Sequence, residues 1–499
     1  MAGALVAFHY HRLGLTLSHY DARGHLVVAR RVVDSITPGW QQIGAVWLPL
    51  PHLINLIPVQ IDALYRSGAS AVAISVLAFA VATASIASIV LALTGSAIAA
   101  VAAAAVFACN PNVLYLQATP MTEPLLLALT TLAVAMLVEW CGEDAPPTDR
   151  ATIPTERRAT TILDRRARLR PAVVGIVFAL ACLTRYEAWP VTACALAAAT
   201  WACARTNGSW PAAVRRVAPI ALYPAAAVLA FLGFSRIVIG RWFVSGGFFV
   251  PENKSLGDPI LAAAEIWWGA HMLSGSLTIA VATAGLAMLI IATRERARGI
   301  IVLSLLATAA LPWAAFVKGH PFRIRYMVPL LAIEAVGAGI AVGSVRRLRV
   351  VLALIALGVV AYELHPLDKG APMVIEAQWE QPNAPLRREV TRHLRSNYDG
   401  TAIMASMGSL GHYMQEASHD GFAIRDFLHE GNGDLWLAAL DGPRPFVGWV
   451  LIEEKANGGD VLARIVRENP RFLDGFSRVS EGAGLALYRR QNLKPNVNR

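Results

Sequence analysis

Apolar runs of roughly 17 residues or more recur from Ser67 to Tyr362, parted by short polar stretches in which arginine is frequent. A run of that length crosses the hydrocarbon core of a bilayer as a helix. Lipid offers no water to backbone groups, so a spanning segment closes its own hydrogen bonds, and the period-two alternation of a membrane barrel is absent. The expected fold is therefore a polytopic α-helical membrane protein with about 11 transmembrane helices. Charged residues make up only 16% of the chain, against about a quarter in soluble domains.

The runs are Ser67–Leu93, a segment ending at Cys109, Leu125–Trp140, two spans sharing 172–203, Val217–Ile239, Leu277–Thr293, Ile300–Val317, Met327–Val345 and Val350–Tyr362. Residues 172–203 are broken near their middle by Arg185-Tyr186-Glu187. Each half has roughly 16 residues, about 24 Å of helix, less than the roughly 30 Å core. The turn is thus expected to dip below the outer face, where charge is costly unless paired or watered. Residues 1–17, interrupted by His9, His11 and Arg12, read as a first span clipped by start-site assignment, and they lack the pattern of a signal peptide.

With the N-terminus cytoplasmic, alternation puts the arginine clusters at 150–170, 205–216, 294–298 and 346–349 inside, as the positive-inside rule requires. The net charge of +10 is carried largely by such clusters, which argues for anionic lipid and against nucleic acid. The same parity puts Asp21, Glu123, Arg185-Tyr186-Glu187 and His320 to Arg325 outside, at the plasma membrane. The five cysteines lie in or beside spans and read as buried thiols. Residues 365–499 have no span and read as an extracytoplasmic α/β domain, with helices at 385–395 and 461–468, strands at 401–405 and 446–452, and a hairpin over 478–488. The transmembrane domain is then 1–364, with 19–66 as its first outer loop and 26–33 as an amphipathic helix at the membrane surface.

Four outer loops hold most of the charge near the membrane. The first carries Asp21, Arg23 and His25, the second Glu123, the third Arg185, Tyr186 and Glu187, and the last His320, Arg323 and Arg325. This set suits group transfer from a lipid-linked phosphate. A carboxylate takes the proton of an acceptor hydroxyl, and arginine forks match the oxygens of a departing phosphate. Each residue also has a plainer role: Asp21 as a helix cap, Glu123 as a first-turn helix acid, Arg185 and Glu187 as a structural pair, Arg323 and Arg325 as lipid anchors.

In these loops the sequence resembles the GT-C glycosyltransferases. The resemblance lies in His19-Tyr20-Asp21, Met121-Thr122-Glu123-Pro124, Arg185-Tyr186-Glu187-Ala188-Trp189 and His320-Pro321-Phe322-Arg323-Ile324-Arg325-Tyr326, in that order. The branch it is most similar to is the bacterial family-39-like enzymes, relatives of protein O-mannosyltransferases and of the lipid A aminoarabinose transferase. The resemblance covers residues 1–345 and implies a polyprenyl-phosphate-linked sugar donor, an extracytoplasmic hydroxyl acceptor on protein, glycan or lipid, an inverting reaction, and Asp21 as base. Asp21 and Glu123 are also the acids between which a divalent cation would be shared. The competing reading is a membrane transporter or lipid flippase. Such proteins carry ionisable groups near the midplane and often internal repeats, whereas here the charge lies at one face and no repeat is found. A third reading is an inactive scaffold for the C-terminal domain.

Overall fold

The structure is a computed structural model that describes residues 1–142, 169–242, 253–292 and 297–491. The arginines at 150–168, 294 and 296 and Glu252 lie outside these residues. Two compact units divide the chain. One comprises Met1–Tyr10, Ala73–Ala118 and Thr122–Ile375; the other comprises His11–Val72, Thr119–Met121 and Glu376–Arg499.

The first unit is helical. Among the described residues four helices are long and apolar enough to cross a membrane: Ala69–Thr94, Glu123–Gly142, Trp210–Ile239 and Ala297–Val317. The pair Pro259–Ser274 and Ser276–Ala292, bent by 110° at Gly275, would make a fifth. Shorter apolar helices are Ala97–Ala108, Pro171–Cys182 and Leu330–Ser344. The expected break inside 172–203 is present, since Pro171–Cys182 and Ala188–Asn207 flank the Arg185 turn. The stretch 240–274, between the runs Val217–Ile239 and Leu277–Thr293, contains the helix Pro259–Ser274, with Trp267 and Trp268 exposed on it. Asp258 caps it by accepting from the Ile260 and Leu261 N–H groups, and Pro259 sits at its start, where no N–H is needed.

Helices Ser276–Ala292 and Leu330–Ser344 touch at their backbones. A Cβ on Gly285 would lie 1.8 Å from the Gly337 carbonyl oxygen, and one on Gly337 would lie 2.5 Å from that of Ala282. In lipid, such close approach supplies the packing that apolar burial cannot. Gly285→Ala must push the helices apart at a cost of about 1–3 kcal/mol, read as a lower melting temperature in detergent. Gly358→Ala, with open space around the new methyl, is expected to be neutral or slightly stabilising. Equal melting of the two variants would rule out this contact.

The second unit is built on a five-stranded sheet of β1 (Ile403–Ala405), β2 (Phe427–Leu428), β3 (Trp449–Glu453), β4 (Phe476–Gly482) and β5 (Leu485–Arg490), in the order β2-β1-β3-β5-β4. The β2-β1-β3 part is parallel and β3-β5-β4 antiparallel. Successive side chains of a strand face opposite ways, so the sheet has two cores. Ile403, Ala405, Trp449, Leu451, Leu485 and Leu487 belong to one; Met404, Val450 and Ile452 belong to the other, with Trp436 and Leu462. The expected helices and strands of 385–488 are present within a few residues.

Leu26, Val27 and Ala29 lie in the first of these cores with Leu410, Tyr413 and Met414. The helix that holds them runs over Tyr20–Arg30, not 26–33, and is mostly buried. It is therefore a core element and not a helix lying on lipid. Arg30 and Arg31, at its C-terminal end, are held inside the protein. Arg30 bridges Asp34 at 2.9 Å and Asp62 at 2.6 Å and lies over the Tyr65 ring. Arg31 donates to the Gln42 and Ile43 carbonyls, and burial pushes its guanidinium down to about 10.

Candidate active site

In the helical unit the charge gathers around Arg185. The turn that presents it is closed by Thr184 Oγ1 donating to Leu180 O and by Trp189 Nε1 donating to Cys182 O. Tyr186 packs edge-on against Trp189 and Phe231, at 5.2 and 6.1 Å between ring centres. Arg185 forks between two acids. Nε and Nη2 donate to Glu187 Oε1 at 3.1 and 2.7 Å; Nη1 donates to Glu123 Oε1 and Thr122 Oγ1, each at 3.0 Å. The Glu123 side chain is fully buried at the start of its helix, where the helix dipole favours a negative charge. Its Oε2 has no hydrogen-bond partner among the described residues. That is an acceptor position left open inside a charged cluster.

Arg325 is close enough for its charge to act on Arg185. It is buried in the 3₁₀ turn Ile324–Met327, with its guanidinium 5.3 Å from the Tyr326 ring centre. His320 meets the same ring edge-on at 5.4 Å, and its Nδ1 donates to Pro321 O at 2.9 Å. Burial, and then the charges of Arg323 and Arg325, lower the His320 pKa, opposed by the Pro321 carbonyl. Arg323, half-buried, begins the turn. Glu123, Arg185, Glu187 and Arg325 thus form one charged neighbourhood, with Tyr186 in the same turn as Arg185.

Asp21, Arg23 and His25 belong to the sheet-containing unit. His19 caps their helix by accepting from the Asp21 N–H through Nδ1 at 3.1 Å, and its ring stacks on Tyr20. With Nδ1 an acceptor, Nε2 carries the proton and faces Glu376 Oε1 at 3.4 Å. Arg23 donates to Leu17 O at 2.6 Å and to Glu416 Oε2 at 2.9 Å. Arg387 reaches Glu380 at 2.6 Å and Glu416 at 3.7 Å. His412 lies edge-on to Tyr20 at 6.5 Å. Burial and the Arg387 and Arg23 charges push His412 down to about 3 against Glu380 and Asp21, so it is neutral at physiological pH. Sequence reading did not single out Glu380, Arg387, His412 or Glu416, because nothing local marks them.

His25 Nδ1 lies 3.2 Å from His52 Nε2 and its ring centre 4.1 Å from that of Trp47, and His52 Nδ1 donates to Leu48 O at 3.1 Å. No group of three or more His, Cys, Asp or Glu side chains able to hold a metal ion is found among the described residues.

No protein-family model matches the sequence, and no curated protein matches it. Solved structures do match. ArnT from Cupriavidus metallidurans, solved with undecaprenyl phosphate, superposes with a TM-score of 0.56 at 12% identity, over 98% of this chain and 96% of that one. Its apo form gives 0.53 at 10% identity, over 97% of each chain. The archaeal oligosaccharyltransferase AglB from Archaeoglobus fulgidus, in complex with an inhibitory peptide and a dolichol-phosphate, gives 0.50 at 12% identity, over 97% of this chain and 72% of that one. ArnT and AglB are both members of the GT-C superfamily, and the fold of this chain is the GT-C fold.

Proposed function

We propose that the chain is a membrane glycosyltransferase that moves a hexosyl or pentosyl group from a polyprenyl-phosphate donor to an extracytoplasmic hydroxyl, with inversion. The observation that carries this reading is the buried cluster of Glu123, Arg185 and Glu187 with the Arg325 charge beside it. A buried guanidinium flanked by acids is expensive to keep for stability alone, and arginines near the membrane suit a lipid-linked phosphate. That the matched structures of ArnT and AglB hold undecaprenyl phosphate and a dolichol-phosphate supports the same donor class.

In the proposed step the acceptor oxygen attacks the anomeric carbon as its proton passes to the Asp21 carboxylate. The bond from that carbon to the phosphate oxygen breaks, and its electron pair leaves with the polyprenyl phosphate. Arg323 and Arg325 take up the charge that develops there. Arg185 is held by Glu123 and Glu187, and Tyr186 and His320 shape the donor side. Arg23 and His25 support the helix that presents Asp21. The test is transfer of label from synthetic polyprenyl-phosphate sugars by the purified protein.

The same proposal carries a topology of about 11 spans with the N-terminus cytoplasmic and residues 365–499 outside. Reporters fused after Arg168 or Arg298 should read cytoplasmic, and those at Lys369 or the C-terminus extracytoplasmic. A cytoplasmic C-terminus would refute the assignment of every outer loop.

A further inference from the structure

The helices Glu123–Gly142 and Ala188–Asn207 both begin beside Arg185. Arg185 joins Glu123 to Glu187 there, and Leu126 packs with Ala188 one step further in. The same two helices meet again at their far ends. Cys141 lies about 27 Å of helix beyond Glu123, and Cys203 about 22 Å beyond Ala188, at 1.5 Å per residue. The two thiols are hydrogen-bonded to each other.

All five cysteines are reduced; Cys203 is buried and Cys141 partly exposed. One thiol of the pair is thus open to a reagent and the other is shielded. The surroundings are electropositive. The charges of Arg216 and Arg298 both act on Cys141. Arg216 lies over the Trp140 ring at 4.5 Å, and Arg298 lies against Gly142. Partly exposed thiols among cations are the ones that exchange. As a small apolar filler a single thiol is enough; two in mutual contact have a reaction open to them.

We propose that Cys141 and Cys203 are a thiol–disulfide modification site, which a small disulfide such as oxidised glutathione converts into a staple between the two helices. Cys141 gives its proton to water and attacks one sulfur of the reagent, and the first glutathione thiolate leaves with the bonding pair. Cys203 then loses its proton and attacks the Cys141 sulfur of the mixed disulfide, and the second glutathione thiolate leaves. The protein gives up two electrons, and one oxidised glutathione becomes two of the reduced form. A disulfide holds its sulfurs about 2.05 Å apart, so the sulfurs draw in from contact and the helix pair becomes fixed at both ends. On the topology proposed above the pair faces the cytoplasm, where cellular thiols keep such pairs reduced, and the staple forms when that balance turns oxidising. The pair stands apart from the proposed transferase site, and its chemistry does not need that reading.

The full-length protein in lipid nanodiscs is incubated with oxidised glutathione, its remaining thiols are blocked, and it is digested with trypsin without reductant. Arginines between 150 and 170 part Cys141 from Cys203, so their peptides stay joined only through a disulfide, which mass spectrometry identifies. Most of the native protein is expected to give the joined pair, and reductant should separate it. Cys141→Ser and Cys203→Ser should each abolish it; Cys194→Ser, which alters an exposed thiol, should not. Oxidation should raise the melting temperature of the native protein by roughly 2–6 °C and leave that of Cys141→Ser unchanged. Peptide mapping of the native protein decides the matter even where a variant folds poorly. A glutathione adduct on Cys141 that Cys203 does not resolve, a link from either thiol to another cysteine, or no reaction at Cys141 overturns the proposal. A joined pair with an unchanged melting temperature overturns the staple.

Discussion

Folded Asp21→Asn protein is expected to transfer label from a polyprenyl-phosphate sugar about a hundred- to ten-thousand-fold more slowly than the native protein, the usual cost of losing a general base. The substitution keeps size and hydrogen-bonding reach and removes basicity. Stability should barely change. The Asp21 backbone N–H is capped by His19, which the substitution leaves in place. The lost charge in the first turn of the helix is worth roughly 0.3–1 kcal/mol. Thermal unfolding of both proteins, beside the transfer assay, separates chemistry from folding. Full activity in folded Asp21→Asn would remove the base assignment and pass it to Glu123.

The contrast between the Arg185 cluster and the surroundings of Asp21 explains what a sequence reader can and cannot see. The Arg185 turn is legible because its signal is local: charges in the middle of an apolar stretch too long for one span and too short for two full ones. The helix ends at 182 and 188 follow from it. Helices at 69–94, 123–142 and 349–363 are legible for the same reason, as apolar runs with polar ends. The strands of the C-terminal segment show as buried apolar runs. The environment of Asp21 is not legible. Arg23 meets Glu416 across 393 residues of chain, and no periodicity links positions so far apart. The polarity of Asp21, Arg23 and His25 suggests a helix start at Leu26, yet Arg23 and His25 find their partners inside the unit and the helix begins at Tyr20. Arg30 and Arg31 misled in the same way: arginines near a membrane span suggest lipid headgroups, and here they hold Asp34, Asp62 and loop carbonyls. The helix Pro259–Ser274 carries Trp267, Trp268 and His271, residue types that also suit a loop at the headgroup level, so it is not legible.

Arg185→Met is expected to be the most destabilising of these changes, by about 3–5 kcal/mol, because it leaves Glu123 and Glu187 buried without their common partner. The loss should be visible as a large drop in melting temperature and in the yield of monodisperse protein. Stability and function part company in the next variant. Replacing Arg185 with Met together with Glu123→Gln and Glu187→Gln removes the buried charges as a set, and a neutral set of similar volume costs little or even stabilises. If the cluster exists to hold the helices together, the triple variant should regain both melting temperature and label transfer. If it serves a lipid-linked phosphate, the triple variant should fold and remain inactive, because the guanidinium is gone and both carboxylate charges with it. The proposed function requires the second result. A stable and fully active triple variant would reduce the cluster to a structural ion pair and leave Arg323 and Arg325 as the phosphate ligands.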